Sequence, residues 1–271
     1  MTDLKAHYSV PDIEARILAA LRAAGLNPDQ RVAPEALAAL DHFHTGGLLA
    51  SRELLERARI RTEDRVLDIG AGLAGPARLI ASTHGCRVDC LDMSLDFCAG
   101  AVLLNQLTGL DERIEVHQGS ALDMPFPDDS FDAAWMQNVG MNIADKRKLY
   151  GEIYRVLKPG GRFAFQEMAA GEGAMSLFPL PWATDPADSF LVSTEEMRSI
   201  LDESGFVVEL LEDTSDEHLR RTANNATPAA PGQLGLSVFV DNLAQKAANA
   251  RRSLEEGRIR FVRGVFRAKS Q

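Results

Sequence analysis

Apolar positions along this chain follow two periods in alternation. Near-continuous apolar runs of four to seven residues punctuate longer stretches whose apolar residues fall three and four apart. The first kind marks buried strands and the second marks helices packed on them, the pattern of an α/β protein with a doubly wound sheet. Residues 11–24 (PDIEARILAALRAA) have helical spacing and stop at Gly25; Pro34 opens a second helical stretch toward Leu40. A loop, Asp41-His42-Phe43-His44-Thr45-Gly46-Gly47, precedes a helix over about 48–59. Strands are predicted over 66–69, 86–92, 113–118, 131–137 and 161–167, with helices over 75–83, 95–108 and 145–157 between them. Pro159-Gly160-Gly161 reads as a turn. Pro179, Pro181 and Pro186 mark an irregular insertion, after which Thr194 is placed to cap a helix over 195–204 that ends at Gly205. A strand over 206–212, a polar loop over 214–233, a helix around 236–255 and a closing strand over 258–267 complete the chain.

The first strand runs into Gly70-Ala71-Gly72-Leu73-Ala74-Gly75, a G-x-G-x-x-G turn opening an alanine-rich helix. That geometry suits a nucleotide-type cofactor, because the glycines bend the chain tightly and admit a ligand close to the backbone. The spacing alone does not separate a dinucleotide from S-adenosylmethionine. Asp68, two residues earlier, does. A dinucleotide sets its pyrophosphate at this turn, where a fixed carboxylate repels it. S-adenosylmethionine carries an ammonium and a sulfonium and no phosphate, so an acidic strand end favours it. Asp92 ends the next strand about 20 residues on, where a carboxylate accepts hydrogen bonds from both ribose hydroxyls. Ser94 is the better cap for the helix that follows.

VLDIGAGLAGPARLIA (66–81), CLDMS (90–94), QGSALDMPFPDDSFDAAWMQNV (118–139) and IYRVLKPGGRFAFQE (153–167) occur in that order. With them the chain resembles the class I S-adenosylmethionine-dependent methyltransferases, in the small-molecule group that includes ubiquinone/menaquinone-type and sarcosine/dimethylglycine-type enzymes. The resemblance implies a Rossmann-like seven-stranded sheet with its last strand antiparallel, an N-terminal helical lid over 1–60 and a core over 61–271. It also implies an acceptor flap at about 170–192. Ala74 departs from a common glycine and is expected to be harmless if the backbone there is near-helical.

The same resemblance assigns the cofactor to Asp68, Gly70, Ala71, Gly72, Gly75, Asp92 and Met93. It puts the adenine near Ser120, Ala121 and Leu122, with Ser120 standing where relatives often have Asp. It puts the methionine end of the cofactor under a lid carrying Thr45 and Gly46. His42 or His44 is then the candidate general base, since an ordinary imidazole titrates near neutrality; the alternative is a helix-joining loop with surface histidines. Gln137 and Asn138 emerge from an apolar strand at the carboxyl edge of the sheet, where ligands sit in open α/β folds, and Asn142 lies behind them. Trp135 and Met141 are read as core. Trp182, Tyr8 and Glu167 are candidates for the acceptor pocket, with Asp185 or Glu167 beside an aromatic wall suiting a cationic amine.

Composition narrows the rest. Of 271 residues, 45% are hydrophobic, enough for one core with an elaborated lid. A formal net charge of −10 opposes a nucleic-acid partner. Arg251, Arg252, Arg258 and Arg260 are assigned to a solvated helix and strand. No apolar run is long enough for a bilayer and no secretory pattern opens the chain, so a cytoplasmic location and no membrane partner are expected. Cys86, Cys90 and Cys98 are expected as buried free thiols without a metal. A homodimer is left open. The expected function is methyl transfer from S-adenosyl-L-methionine to a small molecule. The alternative is a same-fold binder of that cofactor acting as a cyclase, decarboxylase or sensor.

Overall fold

The computed structural model describes residues 9–42, 44–223, 234–235 and 238–270. Seven strands form one sheet: β1 (Arg65–Ile69), β2 (Arg87–Asp92), β3 (Ile114–Gln118), β4 (Phe131–Gln137), β5 (Leu157–Ala170), β6 (Phe206–Asp213) and β7 (Ile259–Ala268). Their order is β3-β2-β1-β4-β5-β7-β6. The first five strands run parallel, while β7 inserts antiparallel between β5 and β6. The strand order reverses at β1 and β4, and their carboxyl ends open the crevice in which such folds hold ligands. The expected fold class stands, including its antiparallel last strand.

Helices cover both faces. They are α1 (Ile13–Ala23), α2 (Ala38–Asp41), α3 (Gly47–Ala58), α4 (Gly75–His84), α5 (Leu95–Thr108), α6 (Lys146–Val156), α7 (Thr194–Glu203), α8 (Ser215–Ala223) and α9 (Leu243–Glu255). Strand side chains alternate between faces. Leu67 and Ile69 of β1 therefore enter the layer under α6 and α7, while Val66 enters the layer under α3 and α4. Asp68 shares the Val66 face and is buried there. A third layer sets Ile13, Ile17 and Leu21 of α1 against Leu73, Phe97 and Leu104. Each such side chain contributes about 1.5–3 kcal/mol on burial, which fixes the N-terminal helices over the glycine turn.

Several local expectations change. The polar segment after β6 begins with a helix, α8, whose Thr214 hydroxyl donates to the Phe261 carbonyl and whose Ser215 hydroxyl accepts from the Phe261 N–H. The helix expected from 236 begins at Leu243, with Asn242 in the left-handed region as its cap. Ser193, not Thr194, caps α7, accepting from the Glu196 N–H at 3.1 Å. Pro159-Gly160-Gly161 sits inside β5 as a bulge: Phe131 pairs with Leu157 while Ala133 pairs with Arg162. Ala74 is left-handed, with φ 60° and ψ 31°, not near-helical, so this turn holds an alanine where glycine is at ease. Ser94 caps α5 as expected, Asp145 caps α6, and the three cysteines are free and buried.

Arg78 of α4 is 1% exposed. It donates to Asp41 Oδ2 at 2.8 Å, Asn105 Oδ1 at 2.7 Å and the Leu73 carbonyl. Removing one partner of a buried pair strands the other charge, at a cost of about 3–5 kcal/mol. Arg78→Met is expected to lose that much in urea unfolding; a loss under 1 kcal/mol would refute the strut.

Candidate functional site

Three backbone devices build the site. Gly70 has φ +65°, and a Cβ on it would lie 2.4 Å from Val139 Cγ2, so no other residue fits between β1 and the β4 end. Its N–H and that of Ala71 donate to the Leu91 carbonyl at 2.8 and 3.1 Å, tying the turn to β2. Gly75 lets α4 approach the lid: a Cβ there would meet the Asp41 carbonyl oxygen at 2.4 Å. Gly75 therefore packs elements together and is not on the cavity wall.

A cavity of about 460 Å3 opens above this turn. Its wall falls into two groups by element. One comprises the ends of β1, β2 and β4 and the segment after β3, with the lid loop, and includes Asp68, Gly70, Ala71, Gly72, Asp92, Met93, Ala121, His44, Thr45, Gln137 and Asn138 of the residues singled out from sequence. The other is the flap with Pro181 and Trp182, together with α8 and α9; Asn142 and Met141 stand between the two groups in chain order. Ser120, Leu122 and Gly46 are off the wall. The Ser120 hydroxyl accepts from the Leu122 N–H at 3.1 Å, and Leu122 packs into the core. Tyr8 lies outside the described residues.

Asp92 is half-buried and clamped: its Oδ2 accepts from the Gly72 N–H at 2.8 Å and its Oδ1 from the Ser94 N–H at 2.9 Å. Burial raises its pKa, opposed by those bonds. Asp68 is the strained group. Its Oδ2 is buried with no hydrogen-bond partner among the described residues. Burial first, and then the Asp92 charge, push its carboxyl up to about 8. A cation brought to this wall meets the Asp92 carboxylate and can displace the proton that Asp68 retains, and an anion meets no lysine or arginine in this half among the described residues.

The histidines differ from expectation. His42 is buried behind the wall, with Nδ1 3.1 Å from Ser51 Oγ. His44 lines the cavity, with Nε2 2.9 Å from Ser51 Oγ and Nδ1 3.2 Å from the Thr45 carbonyl oxygen. Burial lowers His42 to about 4 and His44 to about 3, so neither imidazole titrates near neutrality. Desolvation of the imidazolium is the cause. Gln137 completes this buried network: its Oε1 accepts from Trp135 Nε1 at 2.9 Å and Ser51 Oγ at 3.0 Å, and its amide donates to Gln166. Asn138, at φ 54°, donates to Thr45 Oγ1 at 3.0 Å and leaves a buried Oδ1 with no partner among the described residues.

Glu167 is not on the acceptor wall. Its Oε1 accepts the N–H groups of Val139 and Gly140, both at 2.9 Å, and burial raises its carboxyl to about 7. It pins the turn that carries Asn138 to Asn142. Lys146 holds the same turn from outside, donating to the carbonyls of Gly140, Ile143 and Phe190. Asn142 Nδ2 donates to the Trp182 carbonyl at 2.9 Å, and Trp182 Nε1 donates to Ser189 Oγ at 3.0 Å. Asp185 caps a 3-10 turn and is also off the wall. The aromatic wall at Trp182 therefore has neither expected carboxylate beside it.

Sequence reasoning missed the α8–α9 wall, including His218, Leu219, Thr222 and Arg251, and it left Met141, Met168 and Asp41 off the site. One signal was present: Leu243, Ala247, Ala250 and Leu254 recur at helical spacing and all face the cavity. Arg251 lies on this wall and not on a purely solvated face.

Residues 67–165 match the family described as methyltransferase domain. Over 103 residues the chain is 42% identical to sarcosine/dimethylglycine N-methyltransferase of Aphanothece halophytica, covering 38% of this chain and 37% of that protein. Over 186 residues it is 33% identical to sterol 24-C-methyltransferase of Eremothecium gossypii, covering 64% and 50%. The chain thus spans half or less of the length of these curated relatives. Its fold is shared with phosphoethanolamine N-methyltransferase 2 of Haemonchus contortus, solved in complex with S-adenosyl-L-methionine. That match has a TM-score of 0.74 at 20% identity, covering 100% of this chain and 61% of that one.

Asp68 sets the sharpest expectation. Between pH 4 and 8 the folded protein keeps a proton on Asp68 that the unfolded chain, near 3.8, has released, so the wild-type fold weakens across that window. Asp68→Asn removes the dependence. Its stability advantage in urea is expected to widen from pH 4 to pH 8, while affinity for S-adenosylhomocysteine falls ~10–100-fold by calorimetry. A variant that binds like wild type would contradict the assigned role.

Proposed function

This chain carries a methyltransferase-family domain on the class I fold, and from that premise we propose that it transfers a methyl group from S-adenosyl-L-methionine to a small-molecule acceptor. The observation that carries the reading is Asp68, which lines the cavity at a glycine turn and has a buried carboxylate oxygen with no hydrogen-bond partner among the described residues. It calls for a cationic donor, and the ligand half of the wall offers no lysine or arginine for a pyrophosphate among the described residues.

In this reading Asp68 faces the α-ammonium and Asp92 the ribose hydroxyls. Met93 and Ala121 cover the adenine, and Thr45 with Asn138 meets the methionine end. When bound, S-adenosyl-L-methionine supplies an electrophilic methyl on a good sulfonium leaving group. The protein's own residues orient the acceptor and exclude water. Trp182 and the flap close one side, and the Ser51–Gln137 network holds His44 in a single pose. Holding two reactants in line contributes about 7–11 kcal/mol, so no titrating base is required. A lid over 1–60 and a core over 61–271, with the flap at 170–192, is the domain division this reading uses. Three buried thiols fit a reducing compartment such as the cytoplasm. No described helix is long and apolar enough to cross a membrane.

Methyl-labelled S-adenosyl-L-methionine offered with amine, hydroxyl, thiol and activated-carbon acceptors is expected to label at least one class. Binding of S-adenosylhomocysteine without label transfer to any class would leave a binder and overturn the enzyme reading. Trp182→Ala is expected to cut kcat/KM for the labelled acceptor ~10–100-fold by loosening the acceptor, with S-adenosylhomocysteine affinity unchanged.

A further inference from the structure

The charged residues on the cavity wall are segregated. Asp41, Asp68 and Asp92 are its carboxylates among the described residues, and all three come from the ligand half. The flap, α8 and α9 contribute no carboxylate. They contribute Arg251, which is the one lysine or arginine on the wall among the described residues. Around it the surface is apolar, formed by Met168, Trp182, Leu219, Leu243 and Leu254.

The guanidinium is held in place from one side. Arg251 Nη1 donates to the Thr222 carbonyl at 3.2 Å and to Thr222 Oγ1 at 3.4 Å, while the Thr222 hydroxyl donates to the His218 carbonyl at 2.9 Å. Nε donates to Glu255 Oε1 at 2.8 Å, in an i,i+4 pair whose side chains are 38% and 45% exposed. Such a solvent-screened pair competes weakly with a desolvated ligand. No hydrogen bond from Nη2 is found among the described residues. His218 lies edge-on to the Phe261 ring at 5.4 Å, and its pKa is lowered by burial and then by Arg221 and Arg251.

We infer that the methyl acceptor is an amphiphile with an oxyanionic head, a carboxylate or a phosphate monoester, seated against Arg251 with its apolar body along the flap and α9. The planar fork of a guanidinium matches the paired oxygens of these heads, and a charge-assisted bond in a chamber of low polarity outweighs one in water. An ammonium head meets Arg251 as a like charge; Glu255, the carboxylate nearest Arg251, is off the cavity wall and already paired with it. The inference rests on reading this cavity as a methyl-transfer site.

The test is calorimetric titration of the full chain with octanoate, octyl phosphate, octanol and octylamine, with and without saturating S-adenosylhomocysteine. One or both anionic probes are expected to bind at least tenfold tighter than octanol and octylamine, and the tighter of the two identifies the head. Arg251→Gln is expected to reduce that preference below twofold, with octanol and S-adenosylhomocysteine binding unchanged. Glu255→Gln, a surface change that leaves Arg251 in place, is expected to keep the preference at tenfold or more. Equal binding of octanol and the anions, tightest binding of octylamine, no binding of any probe, loss of the preference in Glu255→Gln, or its survival in Arg251→Gln would overturn the inference. Failure of S-adenosylhomocysteine alone to bind would instead defeat the methyl-transfer reading.

Discussion

The structure turns on one buried cation. Arg78 reaches the lid through Asp41, the glycine turn through the Leu73 carbonyl and the neighbouring helix α5 through Asn105. Three layers that are far apart in sequence thereby share a single guanidinium. Its fork suits that task because several donors lie in one plane and none can be lost by deprotonation. Apolar packing presses the layers together, but it is non-directional and does not set their relative position. The Arg78 bonds do, and so they set where the lid loop with His44 and Thr45 sits relative to Asp68.

Two carboxylates then divide the work of the cofactor wall. Asp92 is satisfied in advance by backbone N–H groups, which fix its direction. Asp68 is left wanting, and the folded chain bears that cost until a cationic partner arrives. Stability given up at a functional site and recovered on binding is a common pattern in proteins. Here it also sets which class of ligand can enter.

Much of this was legible in the sequence because the sheet and its turn obey short-range rules. A strand period, three glycines and two acidic strand ends place Asp68, Gly72 and Asp92 without knowledge of any distant contact. The acceptor side was not legible for the opposite reason. Glu167 ends the strand the sequence predicts, as Asp92 does, but β5 runs on to Ala170 and the Glu167 carboxylate turns to the N–H groups of Val139 and Gly140. His42 and His44 carry no local sign that Ser51 and Gln137, from other elements, will desolvate them. The helix α8 is polar along most of its length, and only docking against β7 reveals it. Ala74 shows the limit within the motif itself, since its neighbours impose a left-handed backbone that its own type disfavours.

The flap is buried through Leu180, Trp182 and Ala183, yet two of its fastenings run through its own backbone. Lys146 grips it through the peptide oxygen of Phe190, and Asn142 through that of Trp182; neither bond reads the identity of the residue that supplies the oxygen. A side-chain change at Phe190 or Trp182 therefore leaves in place the bond that fastens that position. Acceptor choice becomes an evolvable trait, insulated from the machinery that recognises the cofactor.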